Sequence, residues 1–272
     1  MNTLSPQQVQ QFADDGYLTG IDVFSQSEVA DLNAGLEALS RLLRPGESTK
    51  EIREWHEASR WLYDICMDPR LLEIVEDLLG DYYMWASNYF IKEPQTTETV
   101  AWHQDSYYWP LDPIKSLTLW IAHTDSDEGN GAMQVIPGSH KTGLLKHSRQ
   151  DEDATDSVLT LECETGQFRE DAARPLTLKA GQISIHDDKI VHGSPANPSD
   201  RRRVALTVRY SPSEVKCDLS VNPHFKMYHC RGQRADNGNP EGRVPTEKFG
   251  RLERDHQSVE EAGEEAEQQL ER

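Results

Sequence analysis

The sequence predicts a mainly β protein with flanking α-helices, an antiparallel sandwich or barrel of short strands behind a helical N-terminal region. Three observations carry this. Residues 1–80 contain helix caps and helical spacing. From Tyr82 onward short apolar or alternating runs replace that spacing. Pro-, Gly- and Asp-rich turns such as Pro137-Gly138-Ser139 and Ala180-Gly181 separate the runs.

Each element has its own signal. Ser5-Pro6-Gln7-Gln8 joins an N-cap serine, a proline at the first helical position and a glutamine three residues after the cap. The short helix it opens carries Val9 and Phe12 and stops at Asp14-Asp15-Gly16. A second capping box, Ser25-x-x-Glu28, opens a helix with Val29, Leu32, Leu36, Leu39 and Leu43 along one face, ended by Pro45-Gly46. Asp68-Pro69 starts a third helix through Leu79, and Gly80 stops it. Strands are expected at Tyr82–Lys92, Ser116–Ala122, Ala132–Ile136, Leu176–Leu178, Gln182–His186 and Arg203–Tyr210. The acidic stretch 146–175 is longer than an ordinary connection and reads as a functional lid or a disordered excursion. Residues 251–272 hold eight acids and three bases and read as an acidic tail. The expected organisation is one domain over 1–250, its helices within about 1–80, followed by that tail.

Composition narrows the function. The 272 residues carry 28 Lys plus Arg against 47 Asp plus Glu, a net charge of −19. Such a chain has no basic stripe to neutralise phosphates, which excludes nucleic acid as a partner, and an anionic membrane surface repels it. No run approaches the roughly 18 apolar residues of a spanning helix. The start, Met1 to Pro6, lacks the basic and apolar regions of a signal peptide, so a cytoplasmic location is expected. Cys66, Cys163, Cys217 and Cys230 are far apart and read as reduced thiols. The acidic surface disfavours non-specific association and is compatible with a monomer or a homodimer.

The histidines carry the chemistry. His103-Gln104-Asp105 follows the strand beginning near Tyr82. Residues two apart in an extended segment point to one side, so His103 and Asp105 can reach one metal ion. The best third ligand is His192, at the end of a strand in Ile190-Val191-His192-Gly193-Ser194. Two histidines and one carboxylate leave positions open on an ion, as suits Fe(II) that must also bind a cosubstrate and O2. A His-x-Asp triplet is weak by itself, and the chain has a second in His186-Asp187-Asp188. Eleven residues after His192, Arg203 opens the strand Arg203–Tyr210. Val204, Leu206, Val208 and Tyr210 form one face; Arg203, Ala205, Thr207 and Arg209 form the other, which reads as the wall of an anion site.

Three blocks resemble the phytanoyl-CoA dioxygenase family of Fe(II)- and 2-oxoglutarate-dependent oxygenases. They are Trp102-His103-Gln104-Asp105, then Asn130-Gly131-Ala132-Met133-Gln134-Val135-Ile136-Pro137-Gly138-Ser139-His140-Lys141, then His192-Gly193-Ser194-Pro195-Ala196-Asn197-Pro198-Ser199 running to Arg203. The opening Asp14-Asp15-Gly16-Tyr17-Leu18 is similar too. The resemblance implies a double-stranded β-helix (jelly roll, cupin-like) core with N-terminal helices packed on it. It implies His103, Asp105 and His192 as iron ligands, with Arg203 gripping the far carboxylate of 2-oxoglutarate and Ser194 adding a hydroxyl. Gln104 is implied to touch cosubstrate or substrate, and Asn88 and Lys92 are further candidates for the same pocket. The implied reaction consumes O2, decarboxylates 2-oxoglutarate to succinate and CO2, and hydroxylates or otherwise oxidises an unactivated C–H bond of a small-molecule substrate. Because Asp105 retains the carboxylate that halogenases of this superfamily lack, halogenation is disfavoured.

Bland roles are expected for several neighbours. His186 faces away from the iron or supports a ligand, and His140 makes a structural hydrogen bond. His123, His147, His224 and His229 show no ligand spacing. Tyr107, Tyr108 and Trp109 line the pocket or simply pack. Two alternatives stand beside the oxygenase: a non-redox jelly-roll metalloenzyme (isomerase or lyase), and an inactive small-molecule binding protein. Arg209 and Lys92 suit an anionic substrate group and the acidic lid a cationic one, so substrate charge stays open.

Overall fold

The computed structural model describes residues 3–149, 157, 159, 161–164 and 166–253. The tail beyond Glu253 and most of the acidic centre of the 146–175 excursion therefore lie outside the described residues.

Local signals place the helices. In α1 (Pro6–Asp15) both halves of the Ser5/Gln8 capping box form, and Gly16 ends the helix at φ 80°, in the left-handed region that glycine adopts freely. Strand β1 (Tyr17–Asp22) follows directly. The Ser25/Glu28 box caps α2 (Gln26–Ser40), which buries Val29, Leu32, Leu36 and Leu39. Leu43, expected on this helix, lies past its end in a turn and still packs against the core. Helix α3 (Arg60–Cys66) is short and carries no capping box, which is why sequence pattern passed over it. Asp68 caps α4 (Pro69–Leu79) by accepting from the Arg70 amide.

The strands after α4 are β2 (Tyr82–Lys92), β3 (Val100–His103), β4 (Leu111–Asp112), β5 (Leu117–Ala122), β6 (Gln134–Val135), β7 (His147–Arg149), β8 (Leu161–Cys163), β9 (Arg174–Pro175), β10 (Gln182–Asp187), β11 (His192–Ser194), β12 (Arg203–Pro212), β13 (Lys216–Cys217) and β14 (Tyr228–Arg231). All named strand pairs are antiparallel. Six strands form one sheet in the order β1-β10-β5-β12-β2-β14, and four form a second in the order β3-β11-β6-β9. The strand expected at 176–178 sits slightly earlier, at β9, and Leu178 keeps only a single bridge to Ser126. Part of the 146–175 excursion is a regular β7–β8 hairpin rather than irregular chain.

The large sheet is covered on both faces, and this organises the molecule. Leu117, Leu119 and Ile121 of β5, Ile183 and Ile185 of β10, and Val204, Leu206, Val208 and Tyr210 of β12 pack in one cluster with the helix residues Leu36, Leu39, Leu62 and Leu71. From the opposite face Trp120, Ala122 and Ala205 pack against Met133, Val135 and Ile190 of the smaller-sheet region. The result is a jelly roll with helices on its outer face. No helix among the described residues is long and apolar enough to cross a membrane.

The helix layer approaches closely at Gly35, where an added Cβ would come within 1.9 Å of the Trp61 ring. Helix propensity alone predicts that Gly35→Ala stabilises α2 by up to about 1 kcal/mol. The overlap with Trp61 reverses the sign: a loss of about 1–3 kcal/mol is expected in chemical denaturation.

Candidate active site

Two short strands of the smaller sheet bring the histidines together. His103 closes β3 and is the direct register partner of His192, which opens β11. Their rings lie 4.1 Å apart. Gly193 permits this approach, because a Cβ there would stand 2.8 Å from the Val100 carbonyl oxygen. The Pro137-Gly138-Ser139-His140 turn holds β11 in place: the Val191 amide donates to Ser139 Oγ (2.8 Å) and the Ile136 amide to Val191 O (2.9 Å). His140 donates through Nε2 to Ala13 O (3.2 Å), a structural contact with the end of α1.

Asp105 reaches the same point from just beyond β3. It begins a single 3-10 turn over Asp105–Tyr108 rather than continuing the strand, so it shares the site without the two-residue strand alternation expected for it. Its Oδ1 lies 3.5 Å from His103 Nε2 and 3.8 Å from His192 Nε2. The three donor atoms all fall within 4.8 Å of one another, and all three residues are buried.

The donor chemistry fits a divalent ion. His103 Nδ1 donates to Ala101 O (2.8 Å) and His192 Nδ1 to Ile190 O (3.0 Å). A carbonyl can only accept, so each Nδ1 carries a proton and each Nε2 turns toward Asp105. Burial holds the His192 imidazole well below its ordinary pKa, so its Nε2 lone pair is available at neutral pH. Burial alone pushes the Asp105 carboxyl up, but the imidazoles of His103, His186 and His192 and the Arg209 guanidinium outweigh it and hold the group well below the carboxylate range. Two neutral imidazoles and one carboxylate are a set that Fe(II) accepts.

Around them lies a cavity of about 170 Å³, walled by β2, β5, β11 and β12. Arg203 lines it from β12 and is itself buried. Its Nη1 donates to Gly131 O, its guanidinium lies 5.6 Å from the Trp120 ring centroid, and its Nε has no hydrogen-bond partner. Among the described residues no carboxylate pairs with it, and burial lowers its pKa to about 10. Gly131 has φ 77°, and a Cβ there would meet the Ala196 carbonyl oxygen at 2.7 Å, so only glycine presents its carbonyl to Arg203 in this way.

Two buried histidines and a carboxylate beside an unpaired guanidinium, in a jelly roll, narrow the choice of relatives. The model of phytanoyl-CoA dioxygenase (PhyH) matches residues 12–205. The chain belongs to the phytanoyl-CoA dioxygenase family. It is 28% identical over 242 residues to ectoine dioxygenase of Bordetella parapertussis, covering 78% of this chain and 77% of that protein. It is 33% identical over 129 residues to phytanoyl-CoA dioxygenase of Arabidopsis thaliana, covering 47% and 44%. Among solved structures, the non-haem monooxygenase ThoJ in its apo form superposes with a TM-score of 0.77 at 24% identity, over 97% of this chain and 98% of that one. EctD from S. alaskensis with bound Fe superposes at 0.64 with 22% identity, over 79% of each. The dioxygenase is thus of the Fe(II)- and 2-oxoglutarate-dependent type, and His103, Asp105 and His192 are the group that could hold its iron.

The structure distributes the other expected residues unevenly. Ser194 lines the cavity of the dioxygenase and is buried. Lys92, opposite Arg203 in the sheet, also lines it, but its ammonium already donates to the carbonyls of Glu98 (3.0 Å), Ser194 (3.3 Å) and Pro195. Burial and the neighbouring Arg203 hold its pKa down to about 7. Asn88 lines the cavity with its amide oxygen accepting from Arg209 Nη1 (2.8 Å) and its amide nitrogen donating to Ser87 O (2.7 Å). Gln104 does not line the cavity. Its Nε2 donates to Gly143 O (2.9 Å) and Lys189 O (2.6 Å), and its Oε1 accepts from the Leu145 amide (2.7 Å). The expected contact with cosubstrate therefore gives way to a tether, because the residue after the inward-facing His103 points to the other side. Tyr108 and Trp109 line the cavity, whereas Tyr107 stacks on His147 at 4.0 Å.

Two further residues stand behind Asp105: Thr118, which carried no sequence signal, and His186, expected either to face away or to support a ligand. Thr118 Oγ1 donates to Asp105 Oδ2 (3.1 Å), and His186 brings Nε2 to 3.6 Å from that same oxygen. His186 thus supports Asp105 instead of facing away. The two are register partners across β5 and β10, a pairing that the linear sequence does not display. Thr118→Val removes the hydroxyl that orients Asp105, and a loss of about 10–100-fold in Fe(II) or Co(II) affinity is expected in anaerobic titrations.

Proposed function

We propose that the protein hydroxylates a C–H bond of a small-molecule substrate, coupled to decarboxylation of 2-oxoglutarate to succinate and CO2. The single observation that carries this is Arg203, a buried guanidinium with an unpartnered Nε on the wall of the cavity that holds the metal-ligating triad. A non-redox isomerase or lyase of this fold, binding no dicarboxylate cosubstrate, has no use for such a cation beside its metal.

His103, Asp105 and His192 would hold iron, which when bound with 2-oxoglutarate supplies the O2-dependent oxidation. Arg203 makes two parallel charge-assisted hydrogen bonds to the far carboxylate and fixes the direction of the cosubstrate as well as its affinity. Ser194 adds a hydroxyl to that carboxylate. The apolar wall formed by Trp120 and Met133 excludes water from the cosubstrate's methylene chain. Asp105 occupies the position that a halide would need, which disfavours halogenation and leaves oxidation of the C–H bond, with hydroxylation as its simplest outcome. Ectoine dioxygenase, named for a small molecule, illustrates the size of substrate expected here.

Anaerobic addition of Fe(II) and then 2-oxoglutarate is expected to give a visible charge-transfer band; without one, the non-redox metalloenzyme becomes the better reading. Arg203→Leu is expected to weaken 2-oxoglutarate by about 10²–10³-fold, from the loss of two hydrogen bonds to a charged group, while Fe(II) affinity is unchanged. Wild-type cosubstrate affinity in that variant would remove Arg203 from the site.

The pH dependence follows from Lys92. Its folded pKa of about 7 lies below the ordinary value of 10.5, and a bound dianion raises it again, so cosubstrate binding takes up a proton. Affinity for 2-oxoglutarate is therefore expected to fall as pH rises from about 7 to about 9. A flat profile across that window would separate Lys92 from cosubstrate binding.

A further inference from the structure

The cavity holds two cationic positions on one strand. Arg203 and Arg209 share the inward face of β12, six residues and roughly 20 Å apart along the strand. One dicarboxylate cosubstrate needs one distal anchor, which is Arg203 in the reading above. Arg209 remains.

Its surroundings are those of a prepared anion receptor. The half-buried guanidinium lies 4.7 Å from the Trp109 ring centroid and 5.8 Å from that of Trp85, and Asn88 accepts from its Nη1. Its Nε is buried with no hydrogen-bond partner. Asp105 and Glu54 attract it through space, but among the described residues no carboxylate oxygen comes within ion-pair distance of it. Other arginines of this acidic chain are neutralised: Arg70 by Asp68 and Glu28, Arg201 by Asp127, Arg251 by Glu47. Lys92, the rival for an anionic group, has its ammonium committed to three carbonyls. A planar guanidinium held flat by aromatic rings loses little freedom when it grips a carboxylate.

Position adds the rest. Arg209 is the register partner of Thr118, whose hydroxyl bonds Asp105, so an anion on Arg209 lies beside the metal-ligating rung and away from Arg203. Tyr108 and Trp109 line the cavity on that side. We infer that the primary substrate carries a carboxylate, and that Arg209 receives it and so sets which C–H bond faces the metal. This rests on the oxygenase reading.

The test uses the full chain, anaerobic, with Fe(II) and saturating 2-oxoglutarate. Straight-chain monocarboxylates from acetate to hexanoate are titrated against their primary amides, with tryptophan fluorescence reporting on Trp85 and Trp109. Expected are a saturable response to acids, none to amides, a loss of about tenfold or more in affinity in Arg209→Gln, and partial recovery in Arg209→Lys. In Arg209→Gln the charge-transfer band should report 2-oxoglutarate affinity within about threefold of wild type. Equal responses to acids and amides, or no response to either, overturn the inference on the wild-type protein alone, whatever the folding of the variants. A loss of 2-oxoglutarate affinity in Arg209→Gln matching that of Arg203→Leu assigns Arg209 to the cosubstrate instead. If the band itself never forms, the oxygenase reading has failed, which is a separate outcome.

Discussion

Alternation along β12, a strand covered on both faces, is the constraint from which the rest of the site follows. Because side chains point to opposite sides in turn, one face can be wholly apolar while the other carries chemistry. Val204, Leu206, Val208 and Tyr210 bind the sheet to the helices. Arg203, Thr207 and Arg209 are thereby committed to the interior of the jelly roll. A slip of one residue would bury two guanidiniums against leucines and turn the apolar row into the cavity. The ten register pairs between β12 and β2 oppose such a slip.

The same coverage makes the cavity electrically unlike the chain that encloses it. The protein carries −19 overall, yet among the described residues Lys50, Arg53, Lys92, Arg203 and Arg209 line the cavity beside the acids Asp105 and Glu98. Buried charge is costly unless it is compensated, and for Asp105 the compensation comes from three imidazoles, the Arg209 guanidinium and the Thr118 hydroxyl. For Arg203 compensation is incomplete, since among the described residues its guanidinium meets a carbonyl and an aromatic face and no carboxylate. That imbalance is what makes a dianion a natural occupant. Acid on the surface and base in the cavity serve different purposes, and net charge conceals the division.

Holding three ligands in place is spread over loops that do not themselves touch the metal position. The turn at 137–140 anchors the start of β11 to the end of α1. Gly193 lets β11 lie against β3, and Gly131 turns its carbonyl toward Arg203. Gln104, between two of the ligands, ties the 143–145 segment to the loop before β11. Tyr108 donates to Leu161 O (3.0 Å) and so joins the ligand turn to the β7–β8 hairpin. The excursion read in the sequence as a lid or a disordered stretch is thus fastened, just before its start and again at Leu161, to the segment that carries His103 and Asp105.

The linear sequence was sufficient for whatever depends on neighbours in the chain. Capping boxes at Ser5 and Ser25, the stop at Gly16 and the two faces of β12 are local, and each is found where its signal lies. The ligand candidates were legible because their spacing and flanking motifs are distinctive. Tertiary structure decided what pairing across strands decides. Thr118 and His186 converge on Asp105 only because β5 and β10 are neighbours in register. Gln104 turned outward because its neighbour turned inward, and Lys92 was drawn to carbonyls of the loop after β11. A hydrogen bond between residues a hundred positions apart has no local signature, so the residue types were readable in the sequence while their partners had to wait for the fold.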